Sequence, residues 1–247
     1  MKETRDRKIV RKLIDDYGEE FVEKVWPKLP GSEYGNLESM VLYCFLRHYK
    51  PKYVLEVGTE VHGRTTHIVH KALLANGEFQ KHIMSDLEGK VEKAFGNLCR
   101  DLPVNQEKVK LLSGVIQQTF RKIDLSMVDF LLIDADHQRD FATFYLDELI
   151  PPLEDGTYVH IHDVNLSGNW SWRPAPDSEV EEFLERRSKG RFPLKKLFWL
   201  EDWCINLKYV DNRNKINERF PFIGSFSESE TGLPYSSSAS YWEKLGK

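Results

Sequence analysis

No apolar run in this chain approaches the roughly 20 residues that a membrane-crossing helix needs, so no membrane is expected among its partners. Cysteine is scarce. Cys44, Cys99 and Cys204 are odd in number, far apart and without metal-ligand spacing, which argues against a disulfide framework or a zinc site and for reduced thiols in a cytoplasmic protein. Neither sign of charge is in excess, with 35 Lys and Arg against 39 Asp and Glu, so nothing marks a polyanion partner and nucleic acid is not expected. No segment repeats at a solenoid period. The first residues are charged rather than apolar, unlike a secretory signal peptide. These exclusions leave 247 residues, the size of one large α/β domain or one domain with appendages, able to bury a core without covalent staples.

Residues 4–27 read as helical. Ile9, Val10, Leu13 and Ile14 mark one apolar face, and Phe21, Val22, Val25 and Trp26 mark a second, until Pro27 and Pro30-Gly31 stop the pattern. Asn36 suits the N-cap of a further helix, in which Leu37, Met40, Val41, Cys44 and Phe45 recur at helical spacing. Residues 1–35 are therefore read as an N-terminal helical extension, either a cap or a dimerisation element that would make a homodimer. Residues 36–247 are read as the main domain.

That domain alternates short apolar runs with amphipathic ones. Strands are expected at Tyr53–Val57, His82–Ser85, Val109–Leu112, Val128–Ile133 and Thr157–His162. Helices are expected at Thr65–Ala75 (closed by Asn76-Gly77), Lys90–Arg100, Val115–Arg121 and Phe141–Ile150. Such alternation predicts an α/β fold with a mostly parallel, doubly wound sheet. Lys195–Leu200 reads as a sixth strand, and aromatics around Ala239–Leu245 favour a seventh. Ligands of such sheets bind at the carboxyl ends of the strands. Hydrogen-bonding residues stand there after each of the first five runs: Glu56, Asp86, Ser113, Asp134 and Asp163. Residues 165–177, with Trp170, Trp172, Arg173 and two prolines, follow the fifth strand directly and are placed to form an active-site loop. Ser178 and Glu181 suit a capping box for the helix that follows.

The stretch from Val54 to Thr66 is the most informative. An apolar run ends in Glu56-Val57-Gly58-Thr59, and Gly63 opens an amphipathic segment, as in a strand, a glycine turn that lets backbone approach a ligand, and a helix N-terminus. Farther on stand Ile133-Asp134-Ala135-Asp136-His137 and His162-Asp163. With these three motifs in this order, residues 37–164 resemble a class I S-adenosylmethionine-dependent methyltransferase, in the small-molecule O-methyltransferase-like branch (methyltransferase family 24-like), whose fold is a seven-stranded Rossmann-like sheet. The resemblance implies roles. Gly58, Thr59 and Gly63 would meet the methionine part of S-adenosyl-L-methionine, and Glu56 would orient that end directly or through water. Asp86 would take the ribose hydroxyls, Ser113 and Gly114 would line the adenine, and Asp134 would lie beside the sulfonium methyl. His137, His162 and Asp163 would be candidates for the catalytic base. Asp134 and Asp163 would be the ligands of a divalent ion such as Mg2+, with Asn165 or water completing the shell. Two departures stand out: the glycines of the turn are more widely spaced than usual, with Glu60 or His62 where a small residue is common, and Asp163-Val164-Asn165 lacks the adjacent second ligand of metal-dependent relatives.

Plainer readings accompany these. Asp134 and Asp136 could cap the following helix. His160 and His162 could be satisfied core histidines, His67 and His70 surface or packing residues, and Trp170, Trp172 and Trp199 core. Three functions compete: O-methylation of a small hydroxylated acceptor (a sugar or secondary metabolite), a non-catalytic S-adenosylmethionine-binding module, and a nicotinamide-dependent oxidoreductase. Against the last, Glu60 interrupts the only stretch that approaches a G-x-G-x-x-G fingerprint. A hydroxylase-like relative is a fourth.

Overall fold

The computed structural model describes residues 5–31, 36–59, 62–136, 139–162, 194–199 and 240–244. The chain opens with α1 (Arg5–Glu20), which runs on through a π turn at Phe21–Val25 and a 3-10 turn at Trp26–Lys28. Helix α2 (Asn36–Tyr49) then leads into β1 (Tyr53–Val57). The alternation follows as α3 (Arg64–Asn76), β2 (Lys81–Asp86), α4 (Lys90–Asp101), β3 (Val109–Ser113), α5 (Ile116–Thr119), β4 (Phe130–Ile133), α6 (Arg139–Phe144) and β5 (Tyr158–Ile161). Two strands close the sheet, β6 (Leu194–Trp199) and β7 (Ser240–Lys244).

The seven strands lie in the order β3-β2-β1-β4-β5-β7-β6. The first five pair in parallel, and β7 is antiparallel to both β5 and β6. This is the expected mostly parallel, doubly wound sheet. The chain winds outward from β1 to β3, returns to place β4 beside β1, and winds outward the other way. The switch point therefore falls between β1 and β4.

Alternate strand residues feed two cores, as the two-residue period of a strand requires. Val54, Phe130 and Leu132 face α2 and α3, in a cluster that also takes Val10, Leu13, Ile14 and Phe21 of the first helical segment. Leu55, Val57, Leu131 and Ile133 face the other way, against Ile116, Phe141, Ala142 and Leu146. Met84 is covered separately by Val91, Ala94 and Leu98 of α4. Beyond the apolar contact, Tyr43 and Arg47 of α2 reach Glu20 at 3.1 and 3.3 Å, tying α1 to the domain.

Boundaries differ from expectation where side chains compete for the backbone. β4 starts at Phe130, not Val128, because Val128 closes a 3-10 turn over Leu125–Met127. The Asp129 carboxylate meanwhile accepts the Lys52 and Tyr53 N–H groups at 2.8 and 2.9 Å, leashing the start of β1. The helix expected over Phe141–Ile150 is an α-helix only to Phe144 and continues as a π turn over Tyr145–Leu149. Gly77 ends α3 as expected: its φ is +86°, and its N–H reaches the Leu73 and Leu74 carbonyls.

His67 and His70, expected at the surface or in packing, are both fully buried. His70 stacks on His82 with centroids 5.6 Å apart, and burial pushes its imidazole down to about 3 from an ordinary 6.5. The folded chain thus refuses a proton that the unfolded chain accepts as pH falls through 6.5, so stability is full above that pH and declines below it. Between pH 7 and pH 5 this one group should cost about 2 kcal/mol. Urea unfolding at the two pH values should show a smaller loss for His70→Phe than for the wild-type chain.

Candidate active site

The parallel ladder continues one residue past each central strand. Gly58 N–H donates to the Ser85 carbonyl at 2.8 Å, Asp134 N–H to Val57 at 2.8 Å, Gly114 N–H to Asp86 at 3.0 Å and His162 N–H to Ile133 at 2.9 Å. Four residues singled out in the sequence thus sit in register along one edge of the sheet. At the switch point the backbones of β1 and β4 come too close for any side chain. Gly58 has φ +88°, and a Cβ there would lie 1.8 Å from the Asp134 carbonyl oxygen and 2.5 Å from its carbon. Gly63 differs. Its left-handed φ of +70° favours glycine, but a Cβ would meet Ala94 only at an ordinary 3.5 Å. It caps α3, whose first turn has N–H groups with no intrahelical acceptor and the positive end of the helix dipole. The His67 ring steadies this turn, with Nδ1 donating to the Gly63 carbonyl at 2.7 Å and Nε2 3.1 Å from Asp101 of α4.

Glu56 lies beneath the turn with no solvent exposure. Its Oε1 accepts the hydroxyls of Thr65 and Thr66 at 2.7 and 3.0 Å, and its Oε2 lies 3.0 Å from His82 Nε2. A carboxylate only accepts, so His82 carries its proton on Nε2. His82 Nδ1 is then left to accept from His70 Nδ1, 3.4 Å away, while His70 Nε2 is buried with no hydrogen-bond partner among the described residues. Glu56 therefore acts on the turn from below, through the helix and strand that it joins.

Asp86 is half-buried at the end of β2. Its Oδ2 accepts the Thr59 N–H and hydroxyl at 2.9 and 3.2 Å, and its Oδ1 accepts the Leu87 N–H at 2.7 Å. A carboxylate offers about four acceptor positions, so this clamp fixes Asp86 and leaves it capacity for a further donor. Beside it, Gly114 has φ +111°. Exposed Ser113 hydrogen-bonds Glu92, which holds the Glu92 carboxyl below its usual range.

Across the switch point, Asp134 Oδ1 is 3.0 Å from His162 Nδ1. The other ring nitrogen, Nε2, is 3.2 Å from Oε1 of Glu38, in the first turn of α2. All three side chains are largely shielded from solvent, at 8% exposure for His162, 7% for Glu38 and 17% for Asp134. The same turn of α2 is anchored next door, where Ser39 Oγ accepts Arg64 Nε at 3.1 Å, and the Arg64 guanidinium lies over Trp26. His160 is the core histidine of its plainer reading, fully buried with its ring 4.4 Å from that of Tyr241.

His137, Asp163, Glu60, the loop 165–177 and the capping box at Ser178 and Glu181 lie outside the described residues. Sequence reasoning missed Glu38 and His82, and also Thr65 and Thr66 as the partners of Glu56. The paired threonines directly after Gly63 were the signal available for the last contact.

The arrangement suits a nucleoside with a charged amino-acid tail: backbone that only glycine can supply, a helix N-terminus beside it, and a clamped acid on the neighbouring strand. Asp163, expected with Asp134 to hold a divalent ion, lies outside the described residues. Among the described residues no group of three or more acid, histidine or cysteine side chains is placed to hold a metal, and Asp134 already faces His162.

Residues 55–164 match the family model described as a methyltransferase domain. No curated protein matches the chain. Among solved structures it is similar to the O-methyltransferase from Bacillus cereus in complex with SAH, at 16% identity and TM-score 0.57, over 96% of this chain and 97% of that one. It is also similar to the O-methyltransferase TomG from Streptomyces achromogenes, involved in tomaymycin synthesis and in complex with SAM (16% identity, TM-score 0.57, 100% and 92% coverage). A third is the SAH-bound methyltransferase PaMTH1 of Podospora anserina (12% identity, TM-score 0.56, 95% and 88% coverage). At these identities the likeness is one of fold.

The contact at Gly58 is the most demanding in the site. Gly58→Ala should destabilise the chain by about 3 kcal/mol or more, because backbone on both sides must move; a denaturant midpoint equal to that of the wild type would contradict the approach described. Taken with the sheet order and the glycine turn, the family match marks residues 55–164 as a methyltransferase domain.

Proposed function

We propose that the enzyme methylates a hydroxyl oxygen of a small acceptor, such as a sugar or a secondary metabolite. The observation that carries this reading is the His162–Asp134 pair at the strand switch, a base-and-orienter arrangement of the kind hydroxyl nucleophiles need. The names of two similar structures, both O-methyltransferases, support the same class.

S-adenosylmethionine, when bound, supplies a methyl group already activated on a sulfonium. The protein's share is to bind, orient and move a proton. In this reading Asp86, held by Thr59, takes the ribose hydroxyls, and the Gly58 turn with the α3 N-terminus receives the methionine end. Asp134 accepts from His162 Nδ1–H, which leaves Nε2 as the nitrogen that receives the acceptor's proton. The acceptor O–H bond breaks as the N–H bond forms at Nε2. Bound there, the cofactor would supply the methyl for that oxygen and keep the carbon–sulfur electron pair, so the products would be a methyl ether and S-adenosylhomocysteine. Water is kept from the ring by its burial.

The test is a panel of sugars, phenols and other hydroxylated small molecules incubated with methyl-labelled S-adenosylmethionine. A labelled methyl ether and an equal amount of S-adenosylhomocysteine are expected. Label on nitrogen or carbon of an acceptor, or no transfer across the panel, would contradict the reading. His162→Asn should retain S-adenosylhomocysteine binding while its turnover falls at least a hundredfold. By titration calorimetry, Asp86→Ala should bind S-adenosylhomocysteine about ten- to a hundredfold more weakly. Unchanged affinity would remove Asp86 from the ribose contact.

A further inference from the structure

Buried polar groups commonly satisfy one another and do nothing else. The chain of His70, His82 and Glu56 can be read that way, but three observations give it a direction. First, the Glu56 carboxylate and the His82 ring are both without solvent exposure. No water can replace either partner, and a buried carboxylate stripped of a donor is heavily penalised. Second, the donors all point one way. His70 Nδ1–H faces His82 Nδ1 at 3.4 Å, and His82 Nε2–H faces Glu56 Oε2 at 3.0 Å. With Nδ1 taken as an acceptor, His82 keeps the one tautomer that donates to Glu56. Third, the chain ends at the glycine turn. Oε1 of Glu56 accepts the hydroxyls of Thr65 and Thr66 at 2.7 and 3.0 Å. These are the second and third residues of α3, directly after its Gly63 cap. Their turn carries the N–H groups that have no intrahelical acceptor.

We infer that His82 is a positioning residue for the cofactor. Its Nε2–H holds Oε2 of Glu56, which leaves Oε1 committed to Thr65 and Thr66 and so sets where the N–H groups of the first turn of α3 point. Without that donor the carboxylate must turn to keep its oxygens paired, and it draws the threonine hydroxyls with it. His82 reaches the cofactor only through Glu56 and the two threonines. The inference rests on the reading that the Gly58 turn and the α3 N-terminus receive the methionine end of S-adenosylmethionine.

The experiment measures S-adenosylhomocysteine binding to the full chain by titration calorimetry. His82→Leu removes the donor, whereas His82→Gln keeps an N–H at the place of Nε2. The first should bind about tenfold more weakly or worse, and the second should recover to within about threefold of the wild type. Leu149→Ala opens the core on the opposite face of the sheet; it should lower the denaturant midpoint yet leave the affinity within about twofold. Wild-type affinity in His82→Leu overturns the inference. Equal weakening in His82→Leu and His82→Gln overturns it too, since the shape of the ring and not its proton would then matter, and so does an affinity that falls with stability in Leu149→Ala. A second measurement does not need His82→Leu to fold. In the wild type labelled with 15N-histidine, with His82→Gln assigning the signals, His82 should carry its proton on Nε2 alone, and its ring signals should move on saturation with S-adenosylhomocysteine although the ring is buried. A proton on Nδ1, or signals that stay in place through the titration, overturns the inference. A wild type that binds no S-adenosylhomocysteine refutes the cofactor reading and this inference together; a wild type that binds, with any of the contrary results above, refutes this inference alone.

Discussion

The approach of Gly58 to the Asp134 carbonyl is the constraint on which the site depends. It follows from the sheet order. With β4 laid beside β1 and both strands extended by one ladder hydrogen bond, the two backbones meet where a Cβ would fall 1.8 Å from an oxygen. That closeness aligns the ends of the strands. It brings the glycine turn, the start of α3 and the Asp134 side chain around one crevice at the topological switch point, where open α/β sheets bind their ligands.

Beneath the crevice the polar residues are shared out by burial. Glu56 is committed to structure: its oxygens join β1 to α3 through Thr65 and Thr66 and to β2 through His82. Asp86, half-exposed and clamped by Thr59, retains acceptor capacity. Asp134 faces a histidine. Three acids that look alike in the sequence, each closing an apolar run, therefore have three different surroundings, and their surroundings set their chemistry.

Much of this was legible beforehand. The parallel strands announce themselves as short apolar runs ending in polar residues, and the last strand through Tyr241 and Trp242, both of which enter the core. The glycine turn was legible because few residues adopt its backbone angles. The π turns at Phe21–Val25 and Tyr145–Leu149 were not, since their apolar spacing differs little from that of an α-helix over five residues. Nor was Glu38, because an acid in the first turn of a helix has a sufficient local explanation, and only the fold reveals that the turn abuts β5. The buried ladder of Glu56, His82 and His70 was hidden for a related reason. Histidines on a helix and on a strand become neighbours only when α3 packs across the sheet.

A crystal structure of the chain with S-adenosylhomocysteine tests the central claim most directly. The account places the homocysteine end against the Gly58 turn and the α3 N-terminus, with the ribose at Asp86 and the sulfur on the side of Asp134. A nucleoside bound elsewhere, or an occupied crevice whose ribose is not within hydrogen-bond reach of Asp86, would contradict it.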